Sequence, residues 1–256
     1  MIDVGSGPPL VLIPGIQGRW EWMGPTIEAL ARQFRVITGS LPGEPGSSAS
    51  LNGEHDFDAF VSYVDALLDG KNIAVAVVCG VSFGGLIALR YAARRPERVR
   101  ALILVSTPGP RWKPEPHQLR YMKRPILSSP FFAVRAVYRS WQELRVTYPH
   151  LGARLTFCAR SAPRVIKAPG APWRMGVRAR MAAAECFDRD CASVKAPTLV
   201  VTGERDLDRV VRQDDSMGYL TAIEGARFQL LEKTGHLGTI SAPERFAAIV
   251  SRFLNG

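Results

Sequence analysis

The sequence has few residues of the kinds that bind metals or form disulfide frameworks. Its 256 residues include only four histidines and four cysteines. The cysteines stand at positions 79, 158, 186 and 191 without metal-ligand spacing or a disulfide pattern, which predicts free thiols. No glycine-rich stretch has the full spacing of a dinucleotide-binding or phosphate-binding loop. We therefore predict a protein without a metal or an organic cofactor.

Hydrophobic runs long enough to cross a membrane are also missing. The longest run, residues 73–89, falls just short of a spanning helix and is interrupted by three glycines and a serine. The first five residues lack a basic stretch that leads into an apolar one, so they do not resemble a secretory signal. These absences predict a soluble, cytoplasmic protein with no transmembrane segment. Its length allows one large core with an insertion.

Acidic residues are scarce in the middle of the chain. Residues 108–190 hold 16 of the 33 Lys and Arg residues but only 5 of the 23 Asp and Glu residues, a net charge of +11. The rest of the chain has a net charge of −1. This asymmetry predicts attraction to anions, and a solvated basic surface is the alternative. No nucleic-acid recognition motif accompanies the charge, so we predict no nucleic-acid partner.

The most informative stretch joins a buried strand to a helix through a serine between two glycines. Residues 75–81 are small and β-branched, as is typical of a buried parallel strand, and residues 86–94 favour a helix. The chain must turn sharply at Ser82, and Gly80 and Gly84 avoid clashes there. This turn would hold the Ser82 hydroxyl over a helix N-terminus, whose free N–H groups favour an oxyanion. A small turn residue is the alternative interpretation.

Strand-like and helix-like segments alternate along the rest of the chain. Apolar residues at helical spacing mark segments such as residues 20–34 and 57–68. This alternation predicts a parallel sheet with helices on both faces. The further strand-like runs are residues 10–13, 34–38, 99–106, 197–202 and 228–231.

These features resemble the α/β-hydrolase fold family, in particular serine esterases or carboxylesterases that carry a helical cap. The resemblance covers residues 5–107 and 196–254. It implies an α/β fold with a mostly parallel, doubly wound sheet and a helical cap between the sixth and seventh strands of the family's order. We predict a hydrolase core at residues 1–107 and 191–256 and a basic helical cap at residues 108–190.

The family's chain order of nucleophile, acid and histidine implies the catalytic residues. A serine hydroxyl needs a base, and the base needs a carboxylate that orients it. The resemblance implies Ser82 as the nucleophile and His236, in a Gly-His loop after the last strand, as the base. The other histidines, in a polar loop or in the cap, are His55, His117 and His150.

The acid is expected after the strand at residues 197–202. Residues 203–206 are similar to the family's Gly-x-x-Asp turn, which implies that Asp206 orients His236. Asp208 and Glu204 stay open as rivals, with loop solvation as their other role.

Two backbone N–H groups, those of Ile16 and Phe83, are implied as donors to the oxyanion. Ile16 follows Pro14-Gly15, where the family usually has His-Gly. Because the donor is a later backbone amide, we expect the oxyanion hole to tolerate this departure.

The cap is expected to contribute aromatic residues to a substrate pocket. Its clearest helix is predicted to begin at Ser129-Pro130, since serine is a favoured N-cap and proline a favoured first helical residue. We predict substrate-binding roles for six aromatic residues, with ordinary packing as the alternative: Trp20, Trp22, Phe131, Phe132, Tyr138 and Trp141.

The sequence as a whole predicts a serine hydrolase that cleaves carboxylic esters or thioesters through an acyl-enzyme. The alternatives are an acyltransferase or C–C bond hydrolase with the same triad, and a weakly catalytic ligand-binding or signalling member of the fold. The predicted partner is a small-molecule substrate in an anionic or carrier-bound form, or an anionic membrane surface. The oligomeric state stays open. The clustered cations that favour an anionic partner are Arg120, Lys123, Arg124, Arg135, Arg139 and Arg145.

Overall fold

A computed structural model of the protein describes residues 1–47 and 57–256, without the side chains of His117 and Phe132. Its centre is a seven-stranded sheet in the order β1-β3-β2-β4-β5-β6-β7. Among the described strands β1 runs antiparallel to β3, and the remaining neighbours are parallel. The strands are β1 (Ile2–Val4), β2 (Pro9–Ile13), β3 (Arg35–Thr38), β4 (Ala76–Val81), β5 (Val99–Val105), β6 (Thr198–Thr202) and β7 (Arg227–Leu230).

Helices connect these strands and form the insertion. Two short 3-10 helices, Trp20–Met23 and Pro96–Arg98, precede α1 and β5. Within the described part of the chain, no helix combines the length and the apolar character that crossing a membrane requires. The α-helices are α1 (Gly24–Leu30), α2 (Ala59–Asp69), α3 (Phe83–Arg94), α4 (Pro116–Lys123), α5 (Pro125–Thr147), α6 (Leu151–Lys167), α7 (Pro172–Ala184), α8 (Asp188–Ser193), α9 (Gln213–Met217), α10 (Tyr219–Ala222), α11 (Gly238–Ser241) and α12 (Pro243–Asn255).

The sheet is covered on both faces, which explains why its central strands are apolar throughout. Successive side chains of a strand point to opposite faces. In β2, Leu10 and Leu12 therefore pack with α1 and α12, while Val11 and Ile13 pack with α2 and α3. The prediction of an α/β fold with a mostly parallel, doubly wound sheet is confirmed.

Four helices, α4 to α7, fill most of the predicted cap segment, residues 108–190. This insertion lies between β5 and β6, directly after the strand next to β4. The next helix, α8, is joined to the core helix α3 by an ion pair between Arg90 Nε and Asp190 Oδ2 at 2.7 Å. The insertion therefore lies at the end of the sheet that is formed by the C-terminal ends of the parallel strands.

The long cap helix α5 begins earlier than the sequence predicts. Its first residue is Pro125, and Pro130 lies inside the helix. Pro125 already provides the proline of the first turn, so the helix does not need Ser129 as an N-cap. The Ser129 hydroxyl instead donates a hydrogen bond back to the Pro125 carbonyl at 2.7 Å. The predicted start at Ser129-Pro130 is therefore wrong by one turn.

Candidate active site

Ser82 lies at a strained turn between β4 and α3. Its φ of 55° is in the left-handed region, which residues with a side chain rarely adopt. The turn is also tightly packed. A Cβ at Gly80 would lie 2.1 Å from the Gly84 carbonyl oxygen, and one at Gly84 would lie 2.4 Å from the Ile13 carbonyl oxygen. Glycine on both sides of the serine turn is therefore a steric requirement.

The loop after β2 passes beside Ser82. A Cβ at Gly15 would lie 3.5 Å from the Ser82 Cβ. The Gly18 N–H donates to the Gly15 carbonyl at 2.9 Å. The Gly15 carbonyl and the Ile16 N–H belong to one planar trans peptide and point in opposite directions. Because the carbonyl points to the Gly18 N–H, the Ile16 N–H points away from it.

The two predicted oxyanion donors have no hydrogen-bond acceptor among the described residues. Phe83 is the first residue of α3, where N–H groups have no partner inside the helix. Within residues 1–47 and 57–256, neither the Ile16 N–H nor the Phe83 N–H donates to a protein acceptor. The geometry is compatible with an oxyanion hole beside Ser82 despite Pro14 in the position of the family's histidine.

His236 follows β7 and contacts Asp208, which follows β6. The distance between His236 Nδ1 and Asp208 Oδ2 is 3.1 Å. Asp208 is buried, and its other carboxylate oxygen accepts hydrogen bonds from the N–H groups of Val210 and Val211 at 3.1 and 3.0 Å. The carboxylate is therefore fixed in orientation. Because Nδ1 faces Asp208, Nε2 is the ring nitrogen left to act as a base.

The structure brings Asp208, and not the predicted Asp206, into contact with His236. The Leu207 and Asp208 N–H groups both donate to the Glu204 carbonyl, at 3.0 and 2.9 Å, and this turn leaves Asp206 exposed. Asp208, two residues later, faces inward. Glu204, the other rival, accepts a hydrogen bond from the Lys233 N–H at 2.6 Å and so holds the histidine loop.

Among the described residues, no other histidine side chain takes part in this arrangement. His150 is exposed at the start of α6. His55 and the side chain of His117 lie outside the described residues. The described residues contain no hydrogen bond between the Ser82 hydroxyl and His236, although Ser82 follows β4 and His236 follows β7, two parallel strands of the same sheet. Such bonds are often long in enzymes without substrate and tighten on binding.

The charges around His236 favour its protonated form. Burial lowers the pKa of His236, but the charge of Asp208, the hydrogen bond to Asp208 and the charge of Glu143 outweigh it, so the pKa is raised. The Arg139 charge opposes this rise. Burial also raises the pKa of Asp208, but the charge and hydrogen bond of His236 and the two backbone N–H groups lower it overall. The two groups therefore form an ion pair when the imidazole is protonated.

Glu143, from the cap helix α5, is a buried carboxylate that no sequence motif singles out. Both of its oxygens accept a hydrogen bond, each at 3.1 Å, from the N–H of Leu237, the residue that directly follows His236. One turn further along α5, the Thr147 hydroxyl donates to the Lys233 carbonyl at 2.7 Å. The end of α5 is therefore anchored to the histidine loop, and its carboxylate faces the imidazole.

Arg178, from the cap helix α7, is fully buried and organises the loop that holds Ile16. Its Nη1 donates to the Ile16 carbonyl at 3.0 Å and to Glu44 Oε1 at 2.8 Å. Its Nη2 donates to the Pro42 carbonyl at 3.1 Å. Glu44 is itself fully buried and also pairs with Arg174 at 3.1 Å. Helices α5 and α7 therefore hold the loop of His236 and the loop of the predicted oxyanion donor Ile16.

A cavity of about 450 Å³ lies between the cap and the core. It reaches the candidate site at Ile16, the residue of the oxyanion loop, and at Arg139, whose charge acts on His236. Ser82 and His236 do not themselves line it. Its wall is mostly apolar but includes three of the clustered cap cations, Arg120, Arg135 and Arg139. A larger, more polar cavity of about 570 Å³ lies beside it, around residues 109–115 and 210–222.

The predicted aromatic lining is found only in part in this cavity. Of the six residues, Phe131 lines the cavity, and the side chain of Phe132 is outside the described residues. The other four do not line the cavity, because they pack on other parts of the protein or are exposed to solvent. Trp20 packs on the core, Trp22 donates to the Ala168 carbonyl, Tyr138 is exposed and Trp141 stacks with Arg154. The aromatic residues found in their place are Trp112 and Tyr121.

Comparisons with known proteins agree with this fold. A family model described as alpha/beta hydrolase fold matches residues 8–243. The chain is 28% identical to the 2-hydroxymuconate semialdehyde hydrolase of Pseudomonas sp. (strain CF600), covering 98% of this chain and 88% of that protein. It is 27% identical to the pimeloyl-[acyl-carrier protein] methyl ester esterase of Nitrosospira multiformis, covering 98% and 96%. The crystal structure of the enol-lactonase from Burkholderia xenovorans LB400 has a TM-score of 0.76 at 24% identity, covering 100% and 95%.

Proposed function

The chain belongs to the α/β-hydrolase fold family, and on that premise we propose that it is a serine hydrolase that cleaves carboxylic esters or thioesters through an acyl-enzyme. The observation that carries the proposal is the contact between His236 Nδ1 and Asp208 Oδ2 at the sheet edge where Ser82 occupies its strained turn. The relatives named as hydrolases support the reaction class.

The proposed reaction gives each residue one task. His236 Nε2 takes the proton of the Ser82 hydroxyl, and the Ser82 oxygen attacks the carbonyl carbon of the substrate. The Ile16 and Phe83 N–H groups bind the resulting oxyanion. The imidazolium, stabilised by Asp208, gives its proton to the leaving group, and an acyl-enzyme on Ser82 remains. Water, deprotonated by His236, then releases the acid and restores the serine.

The arginines of the cavity suggest that the preferred substrate carries a carboxylate. Three guanidinium groups in a mostly apolar wall match an acyl chain that ends in an anion. The name of the Pseudomonas relative also designates a derivative of a carboxylate, muconate. Acyl transfer to an acceptor other than water, or cleavage of a C–C bond, would use the same three residues, and product analysis with and without added acceptors distinguishes these reactions.

Removing the cavity arginines is expected to change substrate preference. We expect Arg120→Gln and Arg135→Gln each to lower kcat/KM about 10- to 100-fold for a p-nitrophenyl ester of a dicarboxylic acid, because each loses a hydrogen bond to a charged group. The same variants should leave p-nitrophenyl butyrate nearly unaffected. Lys123→Gln and Arg124→Gln are matched controls, since these cations are exposed as Arg120 and Arg135 are but do not line the cavity. Equal losses on both esters would remove the proposed role of the arginines.

The pH dependence of turnover tests the electrostatics of the histidine loop. Catalysis needs neutral His236, and the pKa of His236 is raised. As the pH is lowered, kcat/KM should therefore fall with an apparent pKa above the ordinary value of about 6.5. Glu143→Gln removes a negative charge that favours the imidazolium, and the acid limb of the profile should move to lower pH. Thr147→Val breaks the other anchor of α5 without changing charge, and its acid limb should stay in place. If both variants moved the limb equally, Glu143 would act through packing alone.

A further inference from the structure

The first turns of the cap helix α5 expose a continuous apolar surface. Its side chains recur at helical spacing along one side of the helix, and each is between 58% and 74% exposed. Exposed apolar patches of this kind mark binding surfaces, whereas single exposed residues do not. We call this surface the α5 face and define it by Ile126, Leu127, Phe131, Val134, Val137 and Tyr138.

The cations beside the α5 face belong to a stretch of the chain without acidic residues. Residues 116–142 contain five Lys and Arg residues and no Asp or Glu. Lys123 and Arg124 are exposed where α4 joins α5, and the Arg135 guanidinium lies 5.4 Å from the centre of the Phe131 ring. The surface therefore joins a wide apolar stripe to a basic margin.

The two halves of α5 have different surroundings. Its C-terminal half is anchored by Glu143, Thr147 and the buried Leu144. Its N-terminal half projects the α5 face outward, and Leu127 and Phe131 belong both to that face and to the cavity wall. The α5 face and the opening of the cavity are therefore adjacent.

We propose that the α5 face docks on an anionic membrane surface. An amphipathic helix with an apolar stripe and basic residues at its margin lies in the plane of a lipid interface, with the apolar side chains between the acyl chains and the cations at the headgroups. A second copy of the chain fits less well, because two identical faces would bring their cations together. Docking in this orientation places the opening of the cavity at the lipid surface.

Vesicle sedimentation with the full-length chain tests this proposal. We expect binding to vesicles of equal parts phosphatidylcholine and phosphatidylglycerol, and little binding to phosphatidylcholine alone. Val134→Asp with Val137→Asp should weaken binding at least about tenfold, since burial of one valine contributes that much. Lys123→Glu with Arg124→Glu should weaken it by roughly fivefold or more for each residue. None of these four residues lines the cavity, so turnover of p-nitrophenyl acetate without vesicles should be unchanged.

A matched control lies at the opposite end of the sheet, where the parallel strands begin. Val75 and Arg100 are exposed at the beginnings of β4 and β5, and Val75→Asp with Arg100→Glu should bind vesicles as the wild type does. Ser82→Ala should also bind normally, which separates this test from the proposed hydrolase activity. The proposal is overturned if the wild type binds both vesicle types equally or neither. It is also overturned if sedimentation velocity shows a dimer that Val134→Asp with Val137→Asp converts to monomer, since a second copy then covers the face.

Discussion

Ser82→Ala is expected to lower kcat for p-nitrophenyl acetate by about 10⁴- to 10⁶-fold, the largest effect of any single substitution in this chain. The substitution removes the attacking oxygen, and loss of one member of a catalytic unit costs nearly as much as loss of the whole unit. The backbone should keep its conformation, because alanine carries the same Cβ through the turn at φ 55°. Steady-state kinetics with circular dichroism of both proteins provides the measurement.

Ser106 offers a matched control for this substitution. It is a buried serine with φ 42° at the end of β5, the strand beside β4. Ser106→Ala therefore repeats the chemical change in a similar backbone setting without touching the proposed nucleophile, and its activity should stay within a few-fold of wild type. Comparable losses in both variants would show that damage to the sheet edge, rather than loss of the nucleophile, explains the effect.

Asp208→Asn is expected to lower kcat by about 10⁴-fold, while Asp206→Asn should leave it nearly unchanged. An asparagine at position 208 can offer an N–H to His236 Nδ1, which favours the tautomer with its proton on Nε2 and blocks the base. Asp206 is exposed and makes no comparable contact. Kinetic comparison of the two variants decides between the residue that sequence similarity indicates and the residue that the geometry indicates. A severe loss in Asp206→Asn with an active Asp208→Asn would reverse the assignment.

The features that the sequence predicts correctly depend on local geometry. The turn at Ser82 needs a strand, two glycines and a helix within about twenty residues, and steric contact at Gly80 and Gly84 explains why. The alternation of strands and helices is similarly local, so the sheet could be predicted. His236 could be placed in the loop after the last strand because it is the one histidine of the sequence that follows the last strand-like segment, and its role as the base stays a prediction.

The features that the sequence does not predict depend on how distant segments meet. Three acidic residues stand within six positions after β6, and the hydrogen bonds to the Glu204 carbonyl decide that Asp208 faces inward. The contacts of Glu143 with Leu237 and of Arg178 with Glu44 join residues 94 and 134 positions apart. The orientation of the cap aromatic residues is decided by the same docking of the cap on the core.

Ser82 should become the site of a covalent intermediate, and mass spectrometry after treatment with a fluorophosphonate detects the corresponding adduct. Digestion with trypsin yields a peptide of residues 72–90, in which Ser82 is the only serine. We predict one phosphonyl adduct per chain, on Ser82, with complete loss of esterase activity, and no adduct in Ser82→Ala. An adduct on another residue together with full loss of activity, or an unlabelled Ser82 in a fully inhibited enzyme, would contradict the account.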